Sequence, residues 1–399
     1  MSHHQHPSNG LEYQRFNRHT GSALSRSQTA ALLLDAYRQL NSQKLFWLAM
    51  AISMLIVVAF AATGINESGI SVFGYTFEGA WNTAMIKPDV FYKFVFATLG
   101  VPLWLAWGAT ILALISTASM FPDMLSGGSI DLYLSKPISR IRLLLTRFVA
   151  GLMFVGLQVA VFTIASFFVI GIRGGSWEIG LLVAIPAVLV FFSYLFAICT
   201  VVGLVTRSTI ASLLVTLLAW FAFFCIEGAE GGILLGKVVQ EQRAIALNRD
   251  IDSWNSRLVA LEALPENRRA LTPYSSFRYQ RDELKKQLAD VEILLPRWRL
   301  AHNIAYGVYL ITPKTTATVS LVQDVLFKAA DLPKMEDENR GQRRRRPPIG
   351  GITAGSPVVV KELQRISDSR GPVFVVGTSL VSVGILLGLG CFWFSRKDF

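Results

Sequence analysis

Six long apolar runs determine what this chain can fold into. None of them contains a Lys, Arg, Asp or Glu, and they cover residues 45–63, 94–119, 148–172, 179–206, 209–226 and 373–394. About 20 helical residues cross the hydrocarbon core of a bilayer, which is about 30 Å thick. Only 16% of the residues are charged, whereas soluble domains carry about 25%. The sequence therefore predicts an all-α membrane protein with six transmembrane helices.

Lysines and arginines in the short connections orient such a protein, because cytoplasmic loops carry an excess of positive residues. The first 44 residues contain five basic and two acidic residues, the connection 120–147 contains four basic residues, and the chain ends in SRKDF. We expect these regions, and so both termini, on the cytoplasmic side of the plasma (inner) membrane. The region 231–372 is then extracytoplasmic. Its 23 basic and 16 acidic residues give a net charge of +7, but the charge rule weakens in loops longer than about 60 residues.

The extracytoplasmic insertion at 231–330 contains two stripes of apolar residues at helical spacing. The first consists of Leu247, Ile251, Trp254, Leu258 and Leu261, and the second of Leu284, Leu288, Val291 and Leu295. A turn-rich stretch with two prolines separates them. The pattern predicts an antiparallel helical hairpin over 237–295, which is either a spacer or a docking arm for an extracytoplasmic partner. A further apolar run at 301–312 is too short to cross the membrane.

The remaining segments are assigned from composition. Residues 1–28 and 331–357 have few large apolar residues, which predicts a disordered tail and a disordered linker. The arginine run at 343–346 is interpreted as part of that basic linker, and no nucleic acid is expected as a partner. Residues 29–44 place apolar side chains on one face, which predicts an amphipathic helix on the inner membrane surface before the five spans of 45–230. Residues 358–399 form a juxtamembrane segment and the sixth span.

The chain lacks the motifs of common membrane enzymes and of ATPases. It has no HExxH and no GxSxG sequence, and GGSIDLYLSK lacks the Gly-Lys-[Ser/Thr] ending of a phosphate-binding loop. We therefore expect no catalytic residue, no cofactor and no metal in this chain. Four histidines lie in the N-terminal tail, and His302 is expected in a loop. Gln158 is polar within the third apolar run, where it either bonds a neighbouring helix or contacts a transported substrate.

The segment GGSIDLYLSKPISRIRLLLTR, residues 127–147, lies between the second and third apolar runs. Two glycines permit a chain reversal, Ser129 is a candidate cap of a short helix, and Lys136-Pro137 ends that helix because the residue before proline avoids the helical region. Ser139 is a candidate cap of a second helix that continues into the third span. The arrangement suits force transmission from a soluble partner. It also suits an interfacial anchor in which Arg140, Arg142 and Arg147 hold phosphates of membrane lipid.

The sequence motif G-x-I-D-L-x-L-S-K-P-I-S-R, followed by a Leu-rich helix, resembles the stretch after the second span in ABC-2 type transporter permeases. It resembles in particular the branch that includes the permease of the nitrous-oxide-reductase maturation exporter. The amphipathic first helix, the LITPKT segment at 310–315 and the SRKDF ending also resemble that family. In the family this stretch forms a coupling helix that docks on a separate ATPase subunit. The resemblance assigns the docking region to Asp131, Leu134, Lys136, Pro137, Ser139 and Arg140.

The resemblance implies a permease subunit of an ATP-binding-cassette exporter. ATP would be bound by the partner ATPase subunit, and a second permease copy or a related permease would complete a dimer. The long insertion departs from many relatives, which have a short connection there. The alternative function is a non-transport membrane scaffold or assembly protein that recruits extracytoplasmic partners through its hairpin.

Overall fold

The computed structural model describes residues 34, 38, 41, 44–78, 82–125, 139–263, 274–329 and 352–396. Within these residues, six helical stretches are long and apolar enough to cross a membrane, and we number them as spans one to six. They are Lys44–Ala62, Pro88–Leu125, Arg140–Gly174, Ile179–Thr206, Thr209–Glu262 and Pro372–Arg396. The prediction of an all-α membrane protein with six spans is confirmed. Of the amphipathic helix expected at 29–44, only Leu34, Arg38, Asn41 and Lys44 are described, and all four are helical.

A small antiparallel sheet between spans one and two was not predicted. Its strands are β1 (Thr63–Asn66), β2 (Gly69–Val72) and β3 (Tyr75–Glu78), in the order β1-β2-β3, with Thr63 opposite Val72 and Val72 opposite Tyr75. The turn between β2 and β3 has positive φ at Phe73 (50°) and Gly74 (86°). Two consecutive positive φ angles are what a tight two-residue hairpin turn requires. The strands are only four residues long, so their alternation is too short to detect in the sequence.

Span two is not a uniform α-helix. It begins as an α-helix at Pro88–Val95, widens into a π-helix over Phe96–Ala109, and returns to α-helix at Thr110–Thr117 and Met120–Leu125. Pro102 lies inside the π-helical part, where it cannot donate a backbone hydrogen bond. Such helices are rare and usually a single turn long, and they occur often at functional sites. A π-helical stretch of 14 residues is therefore an unusual feature of this span.

The chain divides into two compact units. Unit 1 comprises residues 1–219, 319–332 and 383–399, and unit 2 comprises 220–318 and 333–382. In unit 1, span three packs against spans one and four. Its core includes rings from facing spans, with Phe46 of span one against Phe154 of span three and Phe148 against Phe196 of span four. Tyr194, Phe192 and Phe196 are fully buried.

Unit 2 contains the helical hairpin. Its outgoing arm belongs to the 54-residue helix Thr209–Glu262, and its returning arm is the 38-residue helix Tyr274–Ile311, which we call the return helix. The predicted apolar stripes pack on each other through Leu247 and Ile251 on one arm and Leu284 and Val291 on the other. The outgoing arm is continuous with span five, and the return helix extends past the predicted end at 295 to Ile311, through Pro296 and most of the apolar run at 301–312.

Two further helices complete the described chain. The connecting helix, Thr315–Ala329, follows the return helix, and the pre-span helix, Pro357–Ser369, precedes span six. The predicted tail at 1–28 and residues 331–351 of the predicted linker lie outside the described residues. The linker was predicted to reach residue 357, but Ile352 already packs against a cluster formed by Leu234, Val238 and Val359.

Candidate functional site

Of the predicted docking segment 127–147, the structure describes only the C-terminal part, residues 139–147. Asp131, Leu134, Lys136 and Pro137 lie outside the described residues. Ser139 is described and is the N-cap of span three, because its backbone is extended and its Oγ accepts a hydrogen bond from the Arg142 backbone N–H at 3.2 Å. Such a cap satisfies a donor that the first helical turn leaves open. Span three therefore begins at Arg140, within the segment 127–147.

Arg147 ties the two flanks of this segment together. Its side chain is buried, and Nη1 donates to the carbonyl oxygen of Met120 at the end of span two, at 3.3 Å. A buried guanidinium needs hydrogen-bond acceptors, since burying an unpaired charge is costly. Of the two interpretations of the segment, the lipid anchor does not apply to Arg147, because its side chain is buried in unit 1. Residues 126–138 thus connect two spans that are hydrogen-bonded to each other through Arg147 and Met120.

The spans that flank this segment are closely packed. The ring of Pro122, at the end of span two, lies against Gly203 of span four, where an added Cβ would be 3.3 Å from Pro122 Cδ. Gly151 of span three is in tighter contact, since its Cβ would lie 2.6 Å from the ring of Phe196. Small residues let membrane helices approach closely. Glycine at these positions brings spans two, three and four together near the segment.

Gln158 lies near the middle of span three, Arg140–Gly174, and is buried in unit 1. Its Nε2 has no hydrogen-bond partner among the described residues. An interhelical hydrogen bond from this nitrogen, one of its two predicted interpretations, is therefore not present in the described part of the chain. An unpaired amide in hydrocarbon is costly. The amide remains available to another polar group.

The opposite ends of the unit 1 spans carry a network of charged and polar groups. Lys93 Nζ donates to Glu178 Oε1 at 3.1 Å and lies 3.8 Å from Asp89. Tyr92 donates its hydroxyl proton to the Thr63 carbonyl oxygen at 2.7 Å, and Arg173 Nε donates to the Tyr92 oxygen at 3.1 Å. These contacts join the end of span one, the start of span two, the end of span three and the start of span four. They explain how Lys93 can be buried, because its charge is paired.

Unit 2 contains a second polar cluster that the sequence analysis did not identify. Glu230 is buried, and its two oxygens accept from Arg370, Oε2 from Nη1 at 3.1 Å and Oε1 from Nη2 at 2.6 Å. The same Oε1 lies 3.3 Å from Nε2 of His302. The prediction that His302 is in a loop was wrong: it lies within the return helix and is buried.

The surroundings of His302 favour its neutral form. Burial lowers the pKa of the imidazole, and the nearby charge of Lys237 lowers it further, while Glu230 opposes the shift. Nδ1 has no hydrogen-bond partner among the described residues. The ring also stacks on Tyr306 with centroids 5.8 Å apart. A neutral imidazole fits this position, because its charged form would be poorly solvated.

Aromatic rings and a second lysine complete the cluster. Arg370 lies over the rings of Tyr306 and Tyr309, at 5.0 and 5.3 Å from their centroids. Lys314, from the LITPKT segment, is fully buried, and its Nζ donates to the carbonyl oxygens of Leu310 and Thr312 at 3.2 Å each. Burial raises the pKa of Tyr309 to about 12 and lowers that of Lys314. Carbonyls that end the return helix thus accept from the ammonium, as expected at the negative end of a helix dipole.

Glu227 caps the connecting helix from a different helix. Its carboxylate accepts from the Thr315 hydroxyl at 2.8 Å and from the backbone N–H groups of Thr316 and Ala317 at 3.0 Å each. A carboxylate at a helix N-terminus is favoured by the dipole and satisfies open donors. The sequence signal was present, since Glu227 and Glu230 follow a long apolar run directly. Their partners are 70 or more residues away in the chain, so spacing alone could not identify them.

Comparisons with known proteins identify a family. The family described as "ABC-2 family transporter protein" matches residues 30–332. This range includes the first five spans, the hairpin and the connecting helix. No curated protein and no solved structure matches the chain. The match covers more than half of the chain.

Proposed function

Because the chain belongs to the ABC-2 family of transporter proteins, we propose that it is the permease subunit of an ATP-binding-cassette exporter. In this proposal a separate ATPase subunit docks on the segment 127–147 and supplies the energy of ATP hydrolysis. The permease carries the substrate across the membrane and contributes no nucleotide site, consistent with the missing phosphate-binding motif. The narrower assignment to the nitrous-oxide-reductase maturation branch stays a prediction.

The observation that carries this proposal is the way both flanks of the segment are fixed. Ser139 starts span three without an intervening loop, and Arg147 of the same span bonds to Met120 of span two. A displacement of the segment by a docked ATPase would therefore move both spans together. A flexible connection would absorb the same displacement. Direct attachment to two bonded spans suits the transmission of movement between subunits.

The distribution of charge supports the orientation in the proposal. Both termini and the segment 127–147 are placed in the cytoplasm, where an ATPase has access to ATP, because these regions carry the basic excess. The hairpin is then extracytoplasmic, in the plasma (inner) membrane. Two copies of the permease, or one copy and a related permease, form the pathway between them. Gln158 is the proposed polar contact along that pathway, because its amide nitrogen has no partner among the described residues.

Co-purification with the ATPase tests the docking proposal. The tagged full-length chain is expressed in its native host and purified in mild detergent, and ATPase subunits in the eluate are identified and quantified. We expect a stoichiometric ATPase in the wild type and at least a five-fold loss for Pro137→Ala combined with Arg140→Glu. Arg365→Glu serves as the matched control, because Arg365 is a highly exposed arginine of the pre-span helix.

The outcomes separate the two candidate functions. Loss of the ATPase from the segment variant, with retention in Arg365→Glu, supports the permease. If wild type never retains an ATPase and extracytoplasmic proteins co-purify instead, the scaffold alternative replaces it. Thermal unfolding of each purified variant shows whether a loss reflects docking or misfolding. The side of the hairpin is read from labelling of a cysteine introduced at residue 259 with an impermeant reagent in intact cells.

A further inference from the structure

An apolar cavity of about 390 Å³ lies within unit 1. Span one, the turn after β2, the π-helical part of span two, and span three form its walls. The lining side chains include Ala59, Phe60, Phe73, Leu99, Leu103 and Phe162. Its volume falls within the range of small-molecule sites, about 300–1,000 Å³. The cavity is thus large enough for a ligand, and its wall is almost entirely hydrocarbon.

Two hydrogen-bonding groups in this wall have no partner. Ser166 and Trp104 line the cavity, and neither Ser166 Oγ nor Trp104 Nε1 has a hydrogen-bond partner among the described residues. The Ser166 side chain is fully buried. Several other small hydroxyls in these spans bond to a carbonyl four residues earlier, as Ser53 does to Ala49 and Thr117 to Ala113. The Thr163 hydroxyl also has no partner among the described residues, but Thr163 does not line the cavity, whereas the Ser166 hydroxyl is left for a group from outside the chain.

The chemistry of the two groups restricts the ligand. An indole N–H can only donate, and a hydroxyl can donate or accept. A ligand that fits the apolar lining is itself long and apolar. To pair with the indole N–H or the hydroxyl, it also carries an oxygen atom that accepts a hydrogen bond. Ser166 lies eight residues before Gly174 at the end of span three, about 12 Å along the helix. At that depth no bulk water can pair with the hydroxyl, so an acceptor carried by the ligand replaces it.

We propose that this cavity binds a single fatty acyl chain whose carbonyl oxygen accepts from Ser166 or Trp104. The acyl group comes either from a free fatty acid or from the ester of a membrane phospholipid. The π-helical stretch belongs to the site, because Leu99, Leu103 and Trp104 all lie on it. The bound acyl chain packs against these residues, and its carbonyl oxygen accepts a hydrogen bond from the Ser166 hydroxyl or the Trp104 indole N–H. This site is independent of ATPase docking, and it is formed by a single copy of the protein.

Photo-crosslinking of the full-length protein in lipid nanodiscs tests the site. One arm uses palmitic acid with a diazirine on the chain, and the other uses phosphatidylcholine with the same diazirine on one acyl chain. Adducts are located by mass spectrometry of proteolytic peptides. We expect saturable labelling within residues 56–63, 95–104 or 162–166 that excess unlabelled probe suppresses. Labelling in only the first arm assigns the site to free fatty acid, and labelling in only the second assigns it to phospholipid.

Three variants distinguish the cavity from general lipid contact. Ala59→Phe fills the cavity and should abolish the saturable labelling, whereas Ser166→Ala should weaken probe affinity about three- to ten-fold, as expected for one lost hydrogen bond. Ser53→Ala is the matched control, because Ser53 is a buried serine of span one that does not line the cavity. Non-saturable labelling spread over exposed positions such as Leu55 and Met153, unchanged in Ala59→Phe and Ser166→Ala, would overturn the proposal.

Discussion

The guanidinium of Arg370 and the carboxylate of Glu230 form a bidentate ion pair in unit 2, with N–O distances of 3.1 and 2.6 Å. They are 140 residues apart in the sequence. The side chain of Glu230 is 4% exposed and that of Arg370 is 17% exposed, so the pair is poorly solvated. Two parallel N–H to O bonds give such pairs both strength and a defined geometry. The pair fixes the residue after the pre-span helix to the helix Thr209–Glu262.

Replacing Arg370 by Met should strongly destabilise the protein. The substitution leaves Glu230 buried without its cation, and breaking a buried pair in this way costs about 3–5 kcal/mol. We expect a value near the lower end, about 3 kcal/mol, because Arg370 is not fully buried. Thermal unfolding in detergent micelles measures the change. Arg365→Met, on the pre-span helix that ends just before Arg370, is the control, since the pair of Arg365 with Glu362 is exposed and should contribute under about 1 kcal/mol. Equal effects of the two variants would contradict a role for burial.

Replacing Glu227 by Ala should loosen the start of the connecting helix. The carboxylate accepts from two backbone N–H groups and one hydroxyl there, and loss of a helix cap costs about 0.5–2 kcal/mol. Hydrogen exchange followed by mass spectrometry should show faster exchange in peptides that cover residues 315–320. Glu241→Ala provides the comparison, because Glu241 lies on the same long helix but pairs with the exposed Arg299. Unchanged exchange at 315–320 in Glu227→Ala would show that the cap is dispensable.

Stability should fall in mild acid because of His302. Its folded-state pKa lies below the unfolded value of about 6.5 through burial and the charge of Lys237, against the opposing charge of Glu230. Below pH 6.5 the unfolded chain binds a proton that the folded protein resists, so the free energy of unfolding decreases as the pH falls. The melting temperature should therefore fall more between pH 8.0 and pH 5.5 in wild type than in His302→Gln. Removal of the tail residues His3, His4 and His6 should leave the difference unchanged.

Enlarging Gly151 should disrupt the packing of spans three and four. A Cβ at this position would lie 2.6 Å from the Phe196 ring, and inserting a larger side chain into a packed core costs about 1–3 kcal/mol. Gly151→Leu should lower the melting temperature and the yield of folded protein in detergent. Gly388→Leu on span six is the matched control, because no described atom lies within 4 Å of a Cβ built there. A similar loss in both variants would point to a general effect of leucine at glycine positions.

Local pattern was sufficient for the elements that depend on hydrophobicity. Spans one to six were predicted because each uncharged run is long enough to cross hydrocarbon. The hairpin was predicted because Leu247 and Ile251 on one arm, and Leu284 and Val291 on the other, repeat at helical spacing. Ser139 was predicted as a cap because a serine before a leucine-rich helix can accept from its first turn. In each case the residues that carry the signal are neighbours in sequence.

The sequence by itself determined that the chain is a helical membrane protein with six spans, and its motif indicated the family that the comparison then identified. Only the tertiary structure decided where its charges are paired. Arg370 pairs with Glu230, which is 140 residues away in the sequence, and Glu227 accepts from Thr315, which is 88 residues away. The structure also decided that Arg147 is buried and that Ser166 and Trp104 face an apolar cavity. The physical reason is that a buried polar group is stabilised by whichever partner the fold brings close, and sequence distance does not encode that partner.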